Sequence, residues 1–282
     1  MKVLIFVDME GIAGVVKAQE TGSHEGFWEK FRVTMTNEVN ASIEGALQAG
    51  ATQIDVLDWH GGGINILHDK LNPKASLIRG ANTVVPLITF IKDKAYNAAF
   101  ILGIHSKHGT NGVLAHTMTG ICATQINGRF VGESELIAGY CGHFNIPVAL
   151  VSGDSEAVKE AGKAFKNIQT VVTKERISYA GAKCFNPEVV CKELEEKADR
   201  AVKQVKACKP FKFRTPLKVR MHFATLCVVP MVTEMLSFIP TVKKVDASTV
   251  AFTCSDIVDY FKLLVVTNLV ASPVYASILK PK

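Results

Sequence analysis

Carboxylate and imidazole side chains stand where several short apolar segments of this sequence end. Poorly solvated carboxylates that lie close together are costly unless a cation compensates their charge. Mixed Asp, Glu and His ligands suit zinc, manganese, cobalt or a related divalent ion. Such a set can also hold two ions, which share a carboxylate and clamp a reacting oxygen from both sides. In chain order, the residues at these segment ends are Asp8 and Glu10, Asp58 and His60, His105, and Asp154.

Each candidate also has a simpler structural interpretation when it is considered alone. Asp8 and Glu10 could cap a following helix or pair with a basic side chain, and His60 could pack beside a glycine-rich loop. Glu133 has the position of a first-turn acid that the helix dipole favours. Spacing alone does not distinguish His105 from the histidines that follow it. The joint occurrence of these residues favours a metal site over separate structural roles.

The motifs around these residues argue against two other kinds of site. A dinucleotide site would need a G-x-G-x-x-G turn after the first strand. Residues 8–14 instead read DMEGIAG and begin with two carboxylates, which would repel a pyrophosphate. The HGGG string at residues 60–63 is typical of a lipase oxyanion hole, but the chain has no G-x-S-x-G nucleophile motif.

The elements that must position these side chains alternate between strands and helices. Alternation of this kind predicts a mainly parallel sheet with helices on both faces, and ligands bind beyond the carboxyl ends of such strands. Short apolar runs predict buried strands at residues 2–7, 53–57, 98–104 and 147–152. Helical patterns occur at about residues 27–49, 133–144, 155–165 and 187–206.

The pattern changes after residue 209. Residues 218–223 alternate polar and apolar as a half-exposed strand does, a second strand is predicted at 248–253, and a helix at 255–270. We therefore expect a metal-binding α/β domain at 1–209 and a smaller α+β domain at 210–282. Within the first, the dipeptide Asn-Gly at residues 127–128 predicts a hairpin.

Composition limits the remaining function classes. The chain has 282 residues, 48% of them hydrophobic and 21% charged, which is typical of a compact globular protein. The net charge of +6 is mild, and the basic segment at 192–220 is interleaved at first with acids, as on a solvated helix face. The N-terminal apolar run is broken by Asp8 and Glu10, so we interpret it as a strand and not a signal peptide. We expect a cytoplasmic protein that binds neither nucleic acid nor a membrane.

Six short blocks, in a fixed order, resemble the zinc-dependent D-aminopeptidases of the DppA type. The signature of that family is S-x-D-x-E-G at the end of the first strand. The likeness is close over about residues 1–190 and looser beyond, and it includes Arg32, residues 35–36, Glu38 and Asn40 in the long helix. The blocks are residues 6–11 (FVDMEG), 58–60 (DWH), 103–105 (GIH), 116–118 (HTM), 131–133 (VGE) and 153–154 (GD).

The resemblance implies a role for each matching residue. His116 would be the catalytic histidine, and we prefer acid/base catalysis to covalent attack because a metal site already activates water. The family assembles as a decamer of two stacked pentameric rings, which implies a homo-oligomer here. Phe6 departs from the signature serine, and Trp59 and residues 61–63 would alter the pocket wall. The implied metal ligands are Asp8, Glu10, His60, His105 and Glu133.

These observations predict a metallo-aminopeptidase with two zinc ions per subunit. It would hydrolyse N-terminal residues, D-amino acids among them, from short peptides. Two alternatives stay open on the residues alone. One is another dinuclear metal hydrolase, an amidase or a phosphoesterase, and the other is a metal-stabilised assembly protein without turnover.

Overall fold

A computed structural model of the chain describes residues 1–22, 26–80, 91, 95–120, 122–178 and 181–279. The chain divides into two compact units. The first comprises Met1–Ala115 and Glu133–Lys212, and the second comprises His116–Gly132 and Phe213–Lys282.

The strands and helices are numbered in chain order across both units. The strands are β1 (Lys2–Val7), β2 (Gln53–Asp58), β3 (Ala75–Ile78), β4 (Ala98–Ile104), β5 (Cys122–Ile126), β6 (Arg129–Phe130), β7 (Val148–Asp154), β8 (Gln169–Ser178), β9 (Gly181–Cys184), β10 (Leu217–Phe223), β11 (Lys243–Lys244) and β12 (Thr249–Cys254). The helices are α1 (Phe27–Gln48), α2 (Glu133–His143), α3 (Ser155–Ala164), α4 (Pro187–Gln204), α5 (Val228–Met235) and α6 (Ile257–Leu279).

The first unit is built on a seven-stranded sheet with the order β3-β2-β1-β4-β7-β8-β9. All neighbours pair in parallel except β9, which is antiparallel to β8. The predicted mainly parallel α/β fold is therefore confirmed. The strand order reverses between β1 and β4, and open sheets of this class bind ligands beyond the strand ends at such a reversal.

The core of the first unit explains why β1 is apolar from Val3 to Val7. Val3, Ile5 and Val7 are fully buried in one cluster with residues of α1 and α4. These two helices pack closely at Gly45, where a Cβ would clash with the carbonyl oxygen of Glu195. A strand covered on both faces reads as a continuous apolar run and not as an alternating one.

The second unit contains an antiparallel sheet with the order β11-β12-β10-β5-β6. Side chains of β10 alternate between buried and exposed, as predicted for a strand with one solvated face. The predicted hairpin joins β5 to β6 at Asn127 and Gly128, whose φ angles of 51° and 83° are both positive. Because β5 pairs with β10, residues 116–132 group with the C-terminal segment, whereas the sequence placed them in the domain 1–209.

Helix α6 is apolar enough to be compared with a membrane span. Among the described residues it is the one helix that qualifies by length and composition, over Ile257–Val274 with a mean hydropathy of 1.5. Asp259, Lys262 and Asn268 interrupt its apolar residues. A third of this segment is buried within the protein. Core helices of globular proteins meet the same criteria, so this finding alone does not assign α6 to a membrane.

Candidate metal centre

The segment after β1 carries the first two candidate ligands and lies between the ends of two neighbouring strands. The backbone N–H of Asp8 donates to the carbonyl of Leu102 in β4, at 2.9 Å. On the other side, the N–H of Trp59 after β2 donates to the carbonyl of Val7, also at 2.9 Å. The ends of β2, β1 and β4 are therefore held side by side, which brings the polar residues that follow them to one place.

The structure brings the five predicted ligands of the first unit together in a largely buried cluster. The side chain of His60 is 16% exposed, and the other four residues are between 2% and 7% exposed. Three carboxylates and two imidazoles thus share a region that is nearly closed to solvent. The ligand cluster consists of Asp8, Glu10, His60, His105 and Glu133.

On one side of the ligand cluster, His60 contacts two carboxylates through a single ring nitrogen. Its Nδ1 lies 3.2 Å from Asp8 Oδ1 and 2.9 Å from Glu10 Oε2. Its Nε2 lies 2.9 Å from the carbonyl oxygen of Thr21, to which it can donate. A backbone carbonyl at the far nitrogen fixes the tautomer and leaves the near nitrogen as the potential ligand atom.

On the other side, a backbone carbonyl also orients His105. Here Nε2 faces the carboxylates and Nδ1 faces the carbonyl. Its Nε2 lies 3.0 Å from Glu133 Oε1 and 3.4 Å from Asp8 Oδ2. Its Nδ1 lies 2.9 Å from the carbonyl oxygen of Ser106. Asp8 therefore faces one imidazole with each of its two oxygens, and it is the residue that both halves of the ligand cluster share.

The electrostatics of the ligand cluster reflect an excess of negative charge. Burial raises the pKa of Asp8 to about 7, and the nearby carboxylate of Glu10 adds to the effect. Burial alone would lower the pKa of His105, but the charge of Glu133, supported by Asp8, outweighs it and raises that pKa to about 10. For His60 burial is likewise overcome by Glu10 and Asp8, so its pKa lies well above the usual range. The region therefore favours positive charge.

The donor set fits a divalent cation. Asp8, Glu10 and His105 each offer one ligand atom, and these atoms lie within 4.8 Å of one another. Within the described part of the chain, the buried Oδ2 of Asp8 accepts no hydrogen bond. Carboxylate oxygens together with imidazole nitrogens are ligands that zinc and related ions prefer. A cation would compensate charge that hydrogen bonds leave uncompensated.

The backbone of residues 10–13, which carries Glu10, is held by side chains that are distant in sequence. The ammonium group of Lys174, fully buried in β8, donates to the carbonyls of Glu10 and Ile12 at 2.5 and 2.8 Å. Burial lowers the pKa of Lys174 to about 8, although Asp154 and Glu38 oppose this shift. On the α1 side, Glu38 Oε1 accepts from the N–H of Ala13 at 2.7 Å. The sequence did not indicate Lys174, because the charged residues Glu175 and Arg176 follow it directly.

Two acids at strand ends have structural roles outside the ligand cluster. Asp58 accepts from the backbone N–H groups of Asn65 and Ile66 at 2.5 and 2.8 Å, and from the side-chain amide of Asn65 at 2.9 Å. It therefore folds back the loop that follows His60. Asp154 accepts from two backbone N–H groups in the first turn of α3 and is its N-cap.

The polar residues of α1 hold the segment that follows this loop. The guanidinium of Arg32 donates to the carbonyl of Asn65 at 2.9 Å. The Thr36 hydroxyl accepts from the N–H of Leu67 at 3.0 Å, and Asn40 bonds to Lys70 and Asn72. These side chains of α1 therefore hold the backbone of residues 65–72 by hydrogen bonds.

The histidines that spacing could not separate occupy different positions. His105 is 2% exposed and belongs to the ligand cluster, whereas His108 is exposed. His116 is half-buried and is the first residue of the second unit.

Comparison with known proteins shows that this chain is similar to D-aminopeptidases. A family model described as D-aminopeptidase matches residues 1–266. A curated D-aminopeptidase of Bacillus subtilis (strain 168) is 33% identical over 272 residues, which cover 95% of this chain and 97% of the relative. A solved structure, described as Zn-dependent D-aminopeptidase DppA from Bacillus subtilis, a self-compartmentalizing protease, superposes with a TM-score of 0.88 at 30% identity. That match covers 96% of this chain and 98% of the other.

Proposed function

Since the chain belongs to the D-aminopeptidase family of peptidases and is a peptide-bond hydrolase, we propose that it removes N-terminal residues from short peptides at a dinuclear zinc site. The observation that carries this proposal is the ligand cluster, in which three buried carboxylates and two oriented imidazoles converge. Zinc is proposed because the DppA structure that resembles this chain is described as Zn-dependent.

Two ions are proposed because the ligand cluster has two halves. Glu10 and His60 would hold one ion, His105 and Glu133 would hold the other, and Asp8 would be shared. The support for this assignment is that Asp8 Oδ1 lies 3.2 Å from His60 and Asp8 Oδ2 lies 3.4 Å from His105. Paired ions supply Lewis-acid polarisation of a carbonyl and lower the pKa of a water molecule.

The side chains supply orientation and proton transfer. Carbonyls of Thr21 and Ser106 hold the two imidazoles so that their near nitrogens point at the carboxylates. We assign acid/base catalysis to His116, on the resemblance of residues 116–118 to the family's block. Its imidazole would accept the proton of the attacking water and donate it to the leaving amine. Imidazole can both accept and donate a proton near neutral pH, so one group can carry out both transfers.

Zinc reconstitution tests this function. Protein stripped with EDTA is resupplied with zinc and assayed on matched D- and L-alanyl anilides and dipeptides, with a phosphomonoester as the non-peptide substrate. We expect about two zinc ions per chain and zinc-dependent release of alanine, faster from the D-substrate. Hydrolysis of the phosphomonoester alone would overturn the aminopeptidase assignment, and hydrolysis of L-substrates alone would remove the D-preference. Two bound ions without any turnover would favour an assembly protein.

Self-assembly is a separate part of the proposal. The relative of known structure is described as a self-compartmentalizing protease, and we propose that this chain likewise forms a closed homo-oligomer, a decamer by family resemblance. Native mass spectrometry measures the subunit number directly. A monomer at assay concentration that retains full activity would contradict it.

A further inference from the structure

Glu133 makes different contacts with its two carboxylate oxygens. Oε1 lies 3.0 Å from His105 Nε2, inside the ligand cluster. Oε2 accepts a hydrogen bond from the indole Nε1 of Trp59 at 2.7 Å. Both residues are almost fully buried, with Glu133 4% and Trp59 3% exposed. One oxygen therefore faces the proposed zinc ligands while a neutral donor holds the other.

The indole of Trp59 is itself held in place from two directions. Its ring packs edge-to-face on Phe6, with centroids 6.0 Å apart and an interplanar angle of 77°. Its backbone N–H is bonded to the carbonyl of Val7 in β1. Phe6 is fully buried, so the aromatic pair has little freedom to move. Phe6 and Trp59, two of the positions at which this chain departs from the family pattern, are thus in contact.

A donor of this kind restricts the carboxylate that it holds. An indole N–H donates and never accepts, so it cannot compete with Glu133 for a cation. A hydrogen bond to an ionised acceptor is stronger than one between neutral groups. Glutamate has a long side chain that loses considerable rotamer freedom when it is ordered. The bond to Trp59 imposes that order before a cation binds, which lowers the cost of binding.

We propose that Trp59 is a positioning residue that pre-orients Glu133 for zinc, with Phe6 supporting the indole from β1. The inference rests on the proposed function because it takes Glu133 to be a zinc ligand. It goes beyond that function by assigning a role to a residue that is neither a ligand nor an acid/base group. Partners of ligands at this distance are typically worth about 10- to 100-fold in metal affinity.

The variant that isolates this bond is Trp59→Phe, which keeps an aromatic ring on Phe6 and removes the N–H. A matched control is Tyr96→Phe. Tyr96 is 5% exposed, and its hydroxyl donates to Asp55 Oδ2 at 2.7 Å, outside the ligand cluster. Each substitution removes one buried donor to a carboxylate. The zinc affinity of the metal-free proteins is measured by competition with a chromogenic chelator.

We expect zinc affinity to fall about 10- to 100-fold in Trp59→Phe and to stay at the wild-type value in Tyr96→Phe. Saturating zinc should restore most of the kcat of Trp59→Phe. Equal zinc affinity in wild type and Trp59→Phe would overturn the inference and leave the proposed function intact. A wild-type protein that binds no zinc would overturn the proposed function itself.

A second measurement needs no change at Trp59. The chain has two tryptophans, so Trp59 is the sole indole in a Trp28→Phe protein. Trp28 donates to Asn65 and not to a proposed ligand. Zinc bound by Glu133 would withdraw charge from the acceptor of the indole N–H. We therefore expect the Trp59 fluorescence to change on zinc addition in proportion to site occupancy, and an unchanged spectrum at full occupancy would contradict the inference.

Discussion

Gly103 in β4 lies directly against the backbone of Asp8. A Cβ at position 103 would clash with the carbonyl oxygen of Asp8, and Gly103 has a φ of +59°, which L side chains rarely adopt. The carbonyl of Gly103 also accepts from the N–H of Gly11 at 2.7 Å. This close approach of two backbones is what brings the carboxylate of Asp8 within reach of the imidazole of His105.

Replacing Gly103 by alanine should therefore disrupt the proposed metal site and the fold around it. Gly109→Ala is the matched control, because Gly109 also has a positive φ of +79° but a Cβ at that position would meet nothing within 4 Å. We expect Gly109→Ala to cost about 1 kcal/mol, the strain of the left-handed region. Gly103→Ala adds overpacking of about 1–3 kcal/mol and should lose bound zinc. Urea unfolding and metal content measure both effects, and equal results for the two variants would contradict this account.

The loop after His60 should depend on the carboxylate of Asp58. Three donors, from Asn65 and Ile66, converge on its two oxygens. In Asp58→Asn one oxygen becomes a donor, so at least one hydrogen bond is lost in either amide orientation. We expect a loss of about 1–3 kcal/mol in the free energy of unfolding. Asp69→Asn, at a side chain that is 74% exposed, should change stability by no more than about 0.5 kcal/mol. Comparable losses in the two variants would argue against the role of Asp58.

Glu38 should make the stability of the metal-free protein depend on pH. Burial raises its pKa from 4.5 to about 7, against the opposing effects of the Ala13 N–H and Lys174. The folded state binds the proton of the Glu38 carboxyl more tightly than the unfolded state does. Protonation of Glu38 therefore stabilises the fold, and this contribution is complete below about pH 4.5. It is lost as the pH rises through about 7, at a cost of up to about 3 kcal/mol.

Glu38→Gln isolates this contribution, because the amide oxygen can still accept from Ala13 and cannot ionise. The free energy of unfolding is measured in urea for both proteins at pH 5 and pH 8, with EDTA present. As the pH rises from 5 to 8, the free energy of unfolding of Glu38→Gln should increase relative to that of the wild type. A difference independent of pH would show that Glu38 does not titrate in this range.

We predict that His116 is a general acid/base catalyst and does not bind a metal ion. His116→Ala should reduce kcat about 10²- to 10⁴-fold, the usual contribution of general acid/base catalysis, with zinc content unchanged. The exposed His108 provides the comparison, and His108→Ala should leave both quantities at the wild-type level. Loss of zinc from His116→Ala would mean that His116 is a ligand.

The strands beside the candidate metal centre could be predicted closely from the sequence. β1 and β4 have the predicted bounds, since strands buried on both faces appear as uninterrupted apolar runs. Strands β3 and β8 and the short helix α5 were not predicted. β3 has four residues, and β8 mixes charged with apolar residues because part of it is exposed. Periodicity is too weak a signal in such segments.

The residues of the ligand cluster were easier to predict from the sequence than the residues that hold them in place. A carboxylate or an imidazole at the end of an apolar run stands out, and this pointed to Asp8 and His105. The family resemblance then distinguished His105 from the later histidines. The supporting contacts depend on pairing across long stretches of chain. Lys174 resembles a solvated strand residue in its local sequence, yet it is fully buried against the segment that carries Glu10. The bond from Trp59 to Glu133 likewise joins residues separated by 74 positions.

Anomalous diffraction at the zinc edge tests the central claim most directly. In crystals of the zinc-reconstituted protein we expect two peaks roughly 3.5–4 Å apart, the usual spacing of paired catalytic ions. One peak should lie beside Glu10 and His60, the other beside His105 and Glu133, with Asp8 between them. Zinc-saturated crystals with no peak among these side chains, or with peaks only elsewhere, would contradict the account.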